Sequence, residues 1–237
     1  MSKAIILGCS HAAGAEIRFT PGIDIKDPLE QTEFEAQNSY PVLLANLLGY
    51  TPHNHAISGG SNDAMFRIFT EQFDTLTSQD IVIACWTGFN RSELWHENHQ
   101  YWTPMRYNEM MYQSRPNDVM KQGVYINKPI VDESLYKSYG KEWLIFEGND
   151  FRGRLNKIKN ILALNFLAKS ANIRVINIDS FMPVFDFQWP SDLYWPDVED
   201  FCCWAKKNNQ LCTAAGHFYL SSHQQYAKLL SDRSSAG

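Results

Sequence analysis

Four apolar residues, Ala4, Ile5, Ile6 and Leu7, run directly into Gly8-Cys9-Ser10, and Gly14 follows four positions later. A short continuous apolar run closed by glycine reads as a buried strand of a parallel sheet covered on both faces. Glycine allows a tight turn there, which sets Ser10 at the carboxyl edge of the strand, where open α/β sheets bind ligands. Taken alone, the segment says only that a serine starts a helix. The pattern recurs, however. Ile81-Val82-Ile83-Ala84-Cys85-Trp86 ends in Thr87-Gly88-Phe89-Asn90, and Ile173-Arg174-Val175-Ile176-Asn177-Ile178-Asp179 reads as a further strand. A weaker stretch over residues 53–57 precedes Ser58-Gly59-Gly60-Ser61-Asn62.

Helical signals fall between these runs. Ser39 is placed to cap a helix over residues 39–48, with Pro41 in its first turn and Gly49 just past its end. Residues 63–76 carry Met65, Phe66, Ile68, Phe69 and Phe73 for a buried face, and residues 150–170 and 221–230 are also expected to be helical. Alternating strands and helices imply a three-layer α/β/α sandwich with a central parallel sheet of four or five strands. Residues 15–38, with Pro21, Gly22 and Pro28, read as a long polar loop, and residues 181–204 are loosely patterned. Residues 91–140 are too long for an ordinary connection and hold many tyrosines and tryptophans. They are expected to form an insertion that covers the Ser10 edge with aromatic walls.

Composition narrows the function classes. The 237 residues suit one α/β domain, and 44% apolar content supplies a core. A net charge of −5, with no basic stripe, argues against nucleic acid as a partner. No apolar run approaches the ~18 residues of a membrane span, and the first strand begins too early for a signal peptide. The five cysteines are odd in number and lack CxxC spacing, as expected of free thiols in a reducing, cytoplasmic compartment. His96 and His99 have metal-ligand spacing only on a helix, and no third ligand stands out, so neither metal nor cofactor is expected. The oligomeric state is not legible.

Three strand-end loops, carrying Ser10, Gly59-Gly60 and Asn90, converge on one sheet edge in this scheme, and His217 precedes the last helix. A hydroxyl, an imidazole and a set of amide donors are the parts that acyl transfer to serine requires. These residues resemble the SGNH, or GDSL-type, hydrolase superfamily. Gly8-Cys9-Ser10 matches its first block, Ser58-Gly59 its second and Gly88-Phe89-Asn90 its third, while Ala214-Ala215-Gly216-His217 stands where the fourth belongs. The resemblance spans residues 3–90 and 150–230. It implies Ser10 as nucleophile, His217 as base, and an oxyanion hole of Ser10 N–H, Gly59 N–H and Asn90. His11, Trp86 and Arg91 are its candidate substrate contacts. The substrate it implies is a small-molecule or carbohydrate ester, plausibly an O-acetyl group. In general style the chain looks like divergent members encoded by tailed bacteriophages, which would place it in host cytoplasm or virion.

Two departures stand out. Cys9 replaces the aspartate beside the serine, and Cys9 is itself a conceivable nucleophile. Ala214 replaces the acid that ordinarily orients the histidine. Losing that acid's function can cost about 10⁴-fold in kcat. Hence a backbone carbonyl or a relocated carboxylate must face His217, with Asp179, Asp186 and Asp192 as candidates, or the chain is a weakened or inactive binding or virion-structural descendant.

Overall fold

The computed structural model describes residues 2–96, 101–106, 150–180 and 199–234, with backbone alone for residues 94–96, 101–106 and 150. Four strands, β1 (Lys3–Leu7), β2 (Thr51–Asn54), β3 (Ile81–Trp86) and β6 (Arg174–Asp179), form one parallel sheet in the order β2-β1-β3-β6. Alternation along each strand divides the core in two. Ala4, Ile6, Ile81, Ile83, Cys85, Ile176 and Ile178 face one side. There they meet α1 (Ser10–Ala13), α3 (Tyr40–Leu47), α6 (Phe201–Lys207) and α7 (Leu220–Ser234). Ile5, Leu7, Val82, Ala84 and Trp86 face the other side, against α4 (Asn62–Gln72) and α5 (Asp150–Ser170). The chain is therefore a three-layer α/β/α sandwich. Each buried aliphatic side chain contributes about 1.5–3 kcal/mol, and strands apolar on both faces are stable only between two helical layers. Among the described residues no helix is long and apolar enough to cross a membrane.

Several expectations need correction. The second strand lies at Thr51–Asn54, ahead of residues 53–57. It is an edge strand with no fully buried position, so hydrophobicity gave its register little weight. The expected loop over 15–38 contains a helix, α2 (Pro28–Asn38), with Pro28 in its first turn and the Asp27 side chain accepting from Leu29 N at 2.7 Å and Glu30 N at 3.2 Å. None of its residues is buried, which is why no apolar periodicity marks it. Part of the loosely patterned 181–204 segment is likewise helical, as α6, capped by Asp200.

The expected insertion opens with an antiparallel hairpin, β4 (Arg91–His96) and β5 (Tyr101–Arg106). It is tied to α4 by Arg67, whose Nε and Nη2 reach Glu93 at 3.0 Å each. The rest of the insertion, with His99, lies outside the described residues, and so do Asp186 and Asp192 in the segment after β6.

Candidate active site

The turn after β1 depends on glycine. A Cβ on Gly8 would stand 2.5 Å from Ala12 Cβ and 3.0 Å from Cys85 Cβ. With that space kept clear, α1 starts at Ser10, whose N–H has no acceptor within so short a helix. Ser10 is nearly buried. Cys9 is wholly enclosed in the core, which removes it as an alternative nucleophile.

The second loop is bonded to the first. Ile57 N donates to Gly8 O at 3.0 Å, and Gly60 N closes a turn on Ile57 O at 2.8 Å. Gly59 takes φ +80°, a left-handed conformation that glycine adopts at little cost. The third loop is bonded to the second. Buried Asn62 accepts from Thr87 N at 3.0 Å and donates to Thr87 O at 3.3 Å, while Arg91 Nη1 donates to Gly60 O at 3.4 Å. The loops bearing Ser10, Gly59 and Asn90 are thus one hydrogen-bonded unit at the carboxyl edge of the sheet. Asn90 Oδ1 is buried without a partner among the described residues.

His217 arrives from the far end of the chain. Its loop is closed by Thr213 N donating to His217 O at 2.8 Å and by His217 N donating to Thr213 Oγ1 at 3.3 Å. Leu220 N donates to Thr20 Oγ1 at 2.9 Å, which fastens this loop to the segment following Ser10. The His217 ring lies 5.1 Å from that of His11. His11 is buried against Phe201 and Phe218, with its Nε2 3.4 Å from Cys202 Sγ, so it packs behind His217. Burial pushes the Cys202 thiol up to about 12, which leaves it protonated and unreactive at neutral pH. His217 Nδ1 is 3.3 Å from Glu16 Oε2, within ion-pair range though without the alignment of a hydrogen bond. No hydrogen bond joins Ser10 Oγ to His217 among the described residues. Such bonds commonly tighten only when substrate is present.

Other candidates prove structural. Trp86 is fully buried and gives its indole N–H to Asn177 Oδ1 at 2.9 Å, so it packs beneath the site and cannot wall a substrate cleft. Asp179 turns toward α5. It pairs with Lys157 Nζ at 2.5 Å, with side chains 1% and 0% exposed. Arg91 is nearly buried and bonded to Gly60, yet it also borders an open cleft of about 800 Å³ with Asp63, Phe89, Ser92, Asn156 and Lys159. Among the described residues no three His, Cys, Asp or Glu side chains gather to hold a metal.

Glu16 is the residue near His217 that sequence reasoning missed. It follows Gly14 in a turn without periodicity, and no spacing rule links it to a histidine two hundred positions away.

No protein-family model matches this chain, and no curated protein does. Among solved structures it is similar to a lipolytic protein of the G-D-S-L family from Desulfitobacterium hafniense DCB-2. That match has 12% identity and a TM-score of 0.42, and covers 98% of this chain and 99% of the other. It is also similar to an acetyl xylan esterase from the rumen bacterium Butyrivibrio proteoclasticus. Here identity is 14% and the TM-score 0.47, with 98% of this chain aligned to 63% of the esterase.

Proposed function

We propose that this chain is a serine hydrolase of SGNH type that cleaves carboxylic esters, with an acylated carbohydrate or a small ester as substrate. One observation carries the reading: the His217 loop is fastened beside the Ser10 turn, and that turn is bonded in series to the Gly59 and Asn90 loops. A nucleophile, a base and amide donors at one sheet edge are the elements of acyl transfer.

In this reaction Ser10 Oγ attacks the ester carbonyl carbon while His217 Nε2 takes the hydroxyl proton. The carbonyl oxygen gains the negative charge. Ser10 N–H, Gly59 N–H and the Asn90 side-chain amide donate to it. The tetrahedral intermediate collapses with loss of the alcohol, which takes its proton from His217. Water then attacks the acyl-serine by the same route, releasing the acid and restoring Ser10. The cleft beside Phe89 and Arg91 receives the alcohol portion, and the aromatic residues of the insertion suit stacking on a sugar ring.

The test is hydrolysis of p-nitrophenyl acetate and of an acetylated oligosaccharide. Wild-type protein turns these over, while Ser10→Ala and His217→Ala each fall by about 10⁴-fold or more. Wild-type protein that cleaves neither ester, with folding intact, would favour a non-catalytic binding role.

A further inference from the structure

The expected fourth-block position holds Ala214, in an exposed turn, and so supplies no acid, while Asp179 is paired with Lys157. We infer that Glu16 is the positioning acid of His217, moved from the C-terminal loop to the turn that follows the nucleophile. This rests on the reading of Ser10 and His217 as nucleophile and base.

Glu16 Oε2 lies 3.3 Å from His217 Nδ1, and the two side chains are 24% and 19% exposed, so the pair is largely screened from water. The same oxygen accepts the hydroxyl proton of Thr213, and Thr213 Oγ1 in turn accepts from His217 N. Carboxylate and histidine are therefore both referenced to one residue. With Nδ1 turned to the carboxylate, Nε2 is the nitrogen left to exchange a proton with Ser10. The proton from Ser10 Oγ goes to Nε2, the Nδ1 proton stays on the ring, and Glu16 stays ionised beside the imidazolium.

The local backbone supports a dedicated role. Glu16 holds φ +68°, ψ +5°, a left-handed conformation that a residue with a Cβ adopts at a cost. Its neighbours impose it. Glu35 Oε1 on α2 accepts from Glu16 N at 2.7 Å and from Arg18 Nη1 at 2.6 Å. Gly14 packs so closely on α2 that a Cβ there would stand 2.1 Å from Glu35 O. A helix that buries none of its residues thus fixes the turn presenting Glu16. Strained residues over-determined by their surroundings gather at functional sites.

The experiment is ¹⁵N NMR of the histidine rings of the full chain, alongside ester kinetics, in wild type, Glu16→Gln and Glu16→Asn. Asparagine tolerates the left-handed conformation and so preserves the turn if glutamine does not. In the wild type the neutral His217 ring is expected to carry its proton on Nδ1. Both variants should lose that preference, with kcat down by about 10³–10⁴-fold and KM changed by no more than about twofold. An unchanged tautomer in either folded variant, or kcat within about threefold of wild type, overturns the assignment. If wild-type protein cleaves no ester, the hydrolase reading falls, while the tautomer still decides what Glu16 does.

Discussion

The two halves of the site are held by different means. On the side of Ser10, Gly59 and Asn90, the loops leave the carboxyl ends of β1, β2 and β3 and are joined by hydrogen bonds through Gly8 O, Asn62 and Arg91. On the His217 side, a partly exposed turn is tied by Thr213, Thr20 and a carboxylate from a strained residue. The first half is rigid because the core is rigid. The second owes its geometry to a few polar contacts near solvent.

A contrast between two carboxylates sharpens the point. Asp179 and Glu16 each face a basic side chain, but Asp179 and Lys157 are sealed beneath the sheet whereas Glu16 meets His217 near solvent. Breaking a buried pair leaves an uncompensated charge, so Lys157→Met should destabilise the fold by about 3–5 kcal/mol. The double change Lys157→Met with Asp179→Leu should recover most of that loss in urea unfolding. If Lys157→Met alone leaves the midpoint unchanged, the pair is not the anchor of α5 on β6.

Asn90 probes the rigid half from its functional end. Its Oδ1 makes no bond to a described residue, so Asn90→Ala should leave stability nearly unaltered. Loss of its amide from the oxyanion should lower kcat by about 10²–10³-fold with little change in KM. A rise in KM at constant kcat would make it a binding residue instead.

The smallest effect concerns the layer behind His217. His223 on α7 accepts from Tyr40 N at 3.0 Å, and burial, aided by the charge of nearby His217, lowers it to about 3. Below the unfolded value near 6.5, the unfolded chain binds a proton that the folded one refuses. Stability should therefore fall with pH from about 6.5, by up to about 1.4 kcal/mol per pH unit from this group. His223→Gln should flatten that slope in denaturation curves taken between pH 6.5 and 5. An unaltered slope would place the acid sensitivity elsewhere.

What could be read from the sequence follows the same division. Apolar runs located β1, β3 and β6, and the glycines following the first two located the loops bearing Ser10 and Asn90, because the central residues of those strands are buried. β2 shifted, since an edge strand with no fully buried position has little hydrophobic register. Trp86, a candidate substrate contact at the end of β3, is turned by the pleat into the α5 layer. Glu16 left no trace. Its position depends on a left-handed turn, a helix buried nowhere and a loop from the other end of the chain, all of them set by tertiary contacts.

The central claim is that Ser10 carries the chemistry with His217 as its base. Treatment of the folded protein with a fluorophosphonate, followed by peptide mass spectrometry, tests it directly. One adduct per chain on Ser10 is expected, formed at a rate that drops sharply in His217→Ala and disappears in Ser10→Ala. No adduct on the wild type, or one at another residue that survives Ser10→Ala, would contradict the account.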